Sequence, residues 1–183
     1  MNAPKKPVLT GPRITLRDVA EGDVEARFAL GNTPEIIAMF GGDPAQVRDI
    51  TRDAAEAWVA AQRDEPHAWI IANGDAMLGA IRLHTLNPAD KRAQIAIGIL
   101  DPTALGLGYG TEAMQVLAAH AFDAMGLHRL GCRVLEFNDR AIRAYEKVGF
   151  VVEGREREAA LIGADWHDDL IMGLLDRDLV RLG

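Results

Sequence analysis

The chain has 183 residues, 49% of them hydrophobic, and a formal net charge of −7. That is the size of one ordinary domain with enough apolar material for a core. The acidic balance argues against a nucleic-acid binder and mildly favours cationic partners, and no apolar run approaches the ~18 residues of a membrane span.

In chain order, the segment from Met1 to Pro7 lacks an apolar signal core and reads as a flexible lead-in, leaving 8–183 as one domain. Ile14–Arg17 reads as a strand. Ala20–Leu30 and Arg52–Asp64 read as helices, the second with Ala54, Ala57, Trp58 and Ala61 on one face. Phe40-Gly41-Gly42-Asp43-Pro44 between them is a loop. Ala68–Ala72 and Met77–Leu86 are strands joined at Asn73-Gly74, a strong hairpin signal. Gln94–Leu100 follows as a buried strand of Ile and Ala. Met114, Leu117, Ala118, Ala121, Phe122 and Met125 then form one helical stripe. Arg129–Leu135 is a further strand, a helix starts at Asn138, and Val151–Ile162 with Asp165–Leu175 make a final hairpin. The pattern predicts an α/β fold whose mixed, mostly antiparallel sheet has about seven strands flanked by about four helices.

Cys132 is the only cysteine, so no internal disulfide forms, as suits a reducing cytoplasm. It reads as a small buried hydrophobe within a strand rather than a nucleophile. The five histidines are scattered without metal-ligand spacing, and no metal is expected.

The segment Leu105-Gly106-Leu107-Gly108-Tyr109-Gly110-Thr111-Glu112-Ala113 carries the strongest chemical signal. Glycines at the mouth of a helix admit a ligand close to the backbone, and the first helical N–H groups are free to bind anionic oxygens. A dinucleotide fingerprint would need glycine where Thr111 stands and would follow directly from a strand, whereas Asp101-Pro102-Thr103-Ala104 intervenes. A P-loop would need Gly-Lys-Ser/Thr, which is absent. A tight turn before a core helix remains the competing reading of this segment alone. Further on, Asn138-Asp139-Arg140-Ala141-Ile142-Arg143-Ala144-Tyr145-Glu146-Lys147-Val148-Gly149-Phe150 reads as a short capped helix. Asn138 or Asp139 is its N-cap, Gly149 its stop, and Ala141, Ile142, Tyr145 and Val148 its apolar face.

These two segments, in this order, resemble the GNAT superfamily of acetyl-CoA-dependent N-acetyltransferases. Its cofactor loop reads Gln/Arg-x-x-Gly-x-Gly/Ala and its later helix Asn…Tyr-Glu-Lys-x-Gly-Phe. Gly11-Pro12-Arg13-Ile14-Thr15-Leu16-Arg17 looks like the opening strand of the branch (RimJ/RimL-like) that acetylates ribosomal-protein N-termini and related small amines. Arg155-Glu156-Arg157-Glu158 and the run from Trp166 to Leu174 resemble that branch's closing hairpin. The resemblance implies a GNAT fold, with backbone N–H groups of Gly106, Leu107, Gly108, Tyr109, Gly110 and Thr111 on the pyrophosphate of coenzyme A. It also implies that Gly98, Ile99 and Leu100 pair with the pantetheine arm, and that Asn138 acts as an N-cap that also touches the cofactor; a core strand alone and a plain N-cap are the competing readings. Two departures stand out, since Leu105 replaces the usual Gln/Arg and Leu107 a common lysine.

The resemblance makes Tyr145 the acid that reprotonates the departing thiolate; a phenol with pKa near 10 suits a thiol near 8.5. A plain core tyrosine is the alternative. No general base is evident. The position often held by glutamate is Gln94, another sometimes acidic is Arg133, and His84, Glu112 and Asp168 are the residual candidates. Deprotonating an α-amine of pKa near 8 costs about 1.4 kcal/mol at pH 7, and a lysine amine about 4.6 kcal/mol. A site without a strong base therefore suits a protein N-terminus or another low-pKa amine, or relay through water. The expected acceptor is a primary amine, on a small molecule or a protein N-terminus, with no nucleic acid or membrane partner. Self-association would use edge strands or the closing hairpin. The competing function is a coenzyme-A-binding sensor without turnover.

Overall fold

The computed structural model describes residues 6–183. One eight-stranded sheet organises the chain, in the order β1-β2-β3-β4-β5-β6-β8-β7. Its strands are β1 (Leu9–Thr10), β2 (Thr15–Arg17), β3 (Ala68–Asn73), β4 (Ala76–Asn87), β5 (Arg92–Ile99), β6 (Arg129–Leu135), β7 (Val151–Ile162) and β8 (Asp165–Leu175). The helices are α1 (Asp23–Leu30), α2 (Pro34–Met39), α3 (Arg52–Asp64), α4 (Tyr109–Asp123) and α5 (Asp139–Val148). Every strand pair is antiparallel except β5–β6. That parallel pair is joined only at Arg92↔Arg129, Ala93↔Leu130 and Gln94↔Gly131. Beyond Gln94 the two strands part, and the gap between them decides where the functional site can lie.

The expected mixed α/β sheet is present, with one more strand and one more helix than counted from the sequence. β1 is two residues long and pairs with β2. Helix α2 has six residues, too few to leave a periodic signature; Pro34 begins it, and Phe40 and the glycines after it end it. Helix α1 starts at Asp23 rather than Ala20, because Gly22 takes φ +95 and the Asp23 carboxylate turns back to accept from the Ala20 N–H at 2.8 Å. The Asn73-Gly74 turn, β6, α3 and the β7–β8 hairpin fall where the sequence places them. The buried face of α3 does not: Ala55 and Val59 are buried, while Ala54, Ala57 and Ala61 are exposed. With alanine on every side of this helix, packing rather than pattern sets its rotation. Trp58 lies at the border of the buried side, under the Arg27 guanidinium at 5.6 Å.

Of the expected lead-in, residues 1–5 lie outside the described residues, whereas Lys6 is packed down and the exposed Pro7 is tied to the domain by its carbonyl. Lys6 is buried with its Nζ on the Gln62 carbonyl at 2.5 Å, and the Pro7 carbonyl accepts from the Trp69 indole at 2.9 Å. Among the described residues, no helix is long and apolar enough to cross a membrane.

The core joins one sheet face to α4: Leu16, Trp69, Ile71, Ile81, Leu83 and Ile95 from strands pack with Met114, Leu117, Ala118 and Ala121. All but Met125 of the predicted α4 stripe is fully buried, and Met125 packs against the core from just beyond the helix end. This packing holds the α4 N-terminus against the end of β5.

Candidate active site

Gly108 caps α4 at φ +86, and Gly106 takes φ +77, conformations that glycine adopts without the strain a side chain would bring. Among the described residues, no intramolecular acceptor meets the backbone N–H groups of Gly106 through Thr111. Consecutive free donors at a helix start are an arrangement that suits an anion.

The outer side of this loop is braced by two residues that sequence reasoning did not connect. Glu112, buried in the first turn of α4, accepts from the backbone N–H groups of Arg13 (2.6 Å) and Ile14 (3.1 Å) and from Arg13 Nε (2.8 Å). Arg13 Nη1 donates to the Leu107 carbonyl at 3.0 Å. The same guanidinium lies 4.8 Å from the centre of the Tyr109 ring, whose hydroxyl accepts from Asn73 Nδ2 at 3.0 Å. Gly11 lets the strand pass, since a Cβ there would stand 2.7 Å from Glu112 Oε1. The signal was in the sequence as two matched segments, but their contact spans about a hundred residues and has no local trace.

Helix α5 forms the opposite wall. Asn138 is its N-cap: Oδ1 accepts from the Ala141 N–H at 3.1 Å, and Nδ2 donates to the Met39 carbonyl at 3.3 Å. One buried amide thus ties α5 to the end of α2. At the other end Gly149 takes φ +112, and the Phe150 N–H returns to the Tyr145 carbonyl. A Cβ at Gly149 would stand 2.1 Å from the Asp178 carbonyl, so only glycine fits. Phe150 folds back edge-on to Tyr145, ring centres 5.1 Å apart. Tyr145 is 5% exposed. Burial, and secondarily the neighbouring Cys132 thiol, push its phenol well above the ordinary tyrosine range. Burial likewise pushes the Cys132 thiol up to about 12, so it packs as a small hydrophobe, as expected.

Between these walls lies a cleft of about 550 Å³, ample for a slender ligand arm. Gly106, Gly108, Gly110 and Thr111 line one end, Ile97 and Ile99 the floor, and Tyr145 and Asn138 the α5 side. Phe40 and Met39 close it from α2, the Phe40 ring lying so close over Gly98 that a Cβ there would meet it at 2.9 Å. Arg140, Arg143 and Lys147 give the α5 wall a positive rim.

The sequence model of the acetyltransferase (GNAT) domain matches residues 13–151, most of the chain. This protein belongs to the GNAT family and is an N-acetyltransferase. It is 27% identical over 155 residues to the uncharacterised N-acetyltransferase YoaA of Bacillus subtilis, covering 83% of this chain and 87% of that one. It is 28% identical over 103 residues to YdaF of the same organism, provisionally named a ribosomal N-acetyltransferase, covering 56% of each chain. In fold it is similar to the spermidine N-acetyltransferase of Vibrio cholerae solved with CoA and spermine: TM-score 0.75, 23% identity, 92% of this chain and 98% of that one.

Of the residues the sequence singled out, Ile99, Gly106, Gly108, Gly110, Thr111, Asn138 and Tyr145 line one cleft. Four expected residues do not line it. Gly98 lies beneath Phe40 and Leu100 bonds back to the Leu78 carbonyl. The Leu107 side chain is exposed and the Tyr109 side chain is turned to Arg13 and Asn73. For Leu107 and Tyr109 the backbone, which is what the resemblance invoked, still belongs to the loop. Both polar atoms of the Asn138 side chain are engaged within the protein.

The residual base candidates are occupied elsewhere. Glu112 braces the loop. Asp168 accepts from Arg155 Nη1 (2.9 Å) and the Glu158 N–H (2.8 Å), which hold it below the usual carboxylate range. His84 bonds to Thr85, and burial with the Arg82 charge lowers its pKa. Gln94 stands at the last rung of the β5–β6 pair, and Arg133 is paired with Asp169 and Glu156. No carboxylate or imidazole lines the cleft among the described residues.

Proposed function

We propose that this chain moves an acetyl group from acetyl-CoA to a primary amine by direct attack on the thioester. The observation that carries the reading is the run of six unpaired N–H groups, Gly106 to Thr111, opening onto a cleft whose far wall holds a buried tyrosine. Those donors suit a pyrophosphate, and the positive rim of α5 suits further phosphate. Bound acetyl-CoA supplies the activated acyl group. The chain aligns it beside the β5 edge left free beyond Gln94, excludes water with Ile97, Ile99 and Phe40, and offers the Tyr145 hydroxyl as proton donor to the thiolate.

With no base lining the cleft among the described residues, the favoured acceptor is an amine that gives up its proton at little cost near pH 7, such as an α-amine. A polyamine stays on the panel because the CoA-bound neighbour of this fold is a spermidine acetyltransferase. The missing base is also the one observation that favours a coenzyme-A sensor without turnover. Thiol release from acetyl-CoA, followed with N-terminal peptides, amino acids, polyamines and aminoglycosides, separates the two. Turnover establishes the transferase, and a faster kcat/KM for lysine side chains than for α-amines overturns the acceptor preference. Calorimetric binding of acetyl-CoA without turnover across the panel supports the sensor, and no binding refutes both.

A further inference from the structure

The GNAT loop of this chain lacks the polar residues common at two of its positions, Leu105 and Leu107, yet a guanidinium stands against it from β2's approach. We propose that Arg13 is a positioning residue for the anion cradle: by holding the Leu107 carbonyl on the outside, it turns the Gly108 N–H into the cleft. The inference rests on the reading that the loop binds the phosphates of coenzyme A.

A trans peptide is planar, with its C=O and N–H on opposite sides. The Leu107 carbonyl points outward to Arg13 Nη1 at 3.0 Å, so the N–H of Gly108 in the same peptide unit points the other way, where Gly108 lines the cleft. Glycine at positive φ is conformationally permissive, and the loop has two. Without an external partner this peptide can flip and point its carbonyl at the ligand. Arg13 itself cannot drift. Its Nε is held by the buried Glu112 at 2.8 Å, its plane lies against the Tyr109 ring, and its Nη2 sits 3.2 Å from where a Cβ on Gly108 would stand. A planar fork can bond Glu112 and the Leu107 carbonyl at once, which a lysine ammonium at the end of a flexible stem cannot reproduce.

Two donors separate this role from a merely structural one: acetyl-CoA, and S-acetylpantetheine, which has the thioester and arm but no phosphate. The variants are Arg13→Gln and Arg13→Lys. The backbone bonds of residues 13 and 14 to Glu112 survive both, so the strand stays anchored. Arg13→Gln is expected to raise the KM for acetyl-CoA about tenfold, the scale of one charge-assisted hydrogen bond. It should leave kcat and the KM for the acceptor within about twofold, and the KM for S-acetylpantetheine unchanged. Arg13→Lys should fall close to Arg13→Gln. Equal losses with both donors, or a lysine variant that behaves as wild type, overturn the inference. A wild-type protein that binds acetyl-CoA no better than S-acetylpantetheine overturns instead the reading of the loop on which it rests.

Discussion

Tyr145 carries the acid role in the proposed reaction, and its surroundings define what the role can look like. Burial raises its phenol well above the ordinary range, so it remains protonated wherever the protein is folded and active. The pH dependence of kcat/KM should therefore rise with pH as the acceptor amine loses its proton, with no falling limb from Tyr145 below pH 10. Tyr145→Phe keeps the ring against Phe150 and removes only the hydroxyl. We expect kcat to fall by about 10²-fold or more, the usual contribution of a positioned proton donor, with the KM for acetyl-CoA within about twofold. Steady-state kinetics on the purified variant decide the matter, since an unchanged kcat removes the acid role. Cys132 beside it is inert for the same reason that Tyr145 is protonated: burial disfavours the charged form of both.

At the scale of elements, the site depends on one amide. Asn138 caps α5 through Ala141 and reaches Met39 at the end of α2, just before the Phe40 that closes the cleft. Asn138→Ala should cost about 1 kcal/mol through the lost cap, read as a lower thermal midpoint. It should also raise the KM values for acetyl-CoA and for the acceptor, because the end of α2 that closes the cleft is freed while the glycine loop is untouched. A variant that loses stability but keeps both KM values would reduce Asn138 to a cap. The elements that make up this site were unequally legible. The α4 loop and α5 could be read because their chemistry is written in local residues: glycines where φ is positive, an Asn-to-Gly capping frame, one apolar stripe. Helix α2, the rotation of α3, and the contacts of Arg13 with Leu107 and of Asn138 with Met39 could not. The first is shorter than two helical turns, and the second is degenerate in alanine. The last two join residues 94 and 99 positions apart, which no local pattern encodes.

At the scale of the whole molecule, the buried pair at the cleft end ties stability to alkaline pH. An unfolded chain ionises its cysteine near 9.0 and its tyrosines near 10.0; in the folded protein the Cys132 thiol is pushed up to about 12 and the Tyr145 phenol is also raised. Above pH 9 the unfolded state thus sheds protons that the folded state retains. Stability then falls as pH rises, by at most about 1.4 kcal/mol per pH unit for each such group. For the thiol, the loss begins near pH 9 and ends near 12; below pH 8 neither group contributes. The surface arginine–carboxylate pairs do not compete in this window, since neither partner changes charge between pH 8 and 12. Urea midpoints at pH 8, 9, 10 and 10.5 should fall progressively, and Cys132→Ala should flatten the step between pH 9 and 10 whatever it does to stability at pH 8. Because Cys132 is the one thiol of the chain, alkylation supplies an independent check. At pH 8 labelling should be limited by unfolding and should accelerate with urea in step with the midpoint curve. Rapid labelling of the native protein, or parallel pH curves for wild type and Cys132→Ala, would show that the cleft end is open to solvent, and the burial that keeps Tyr145 protonated would fall with it.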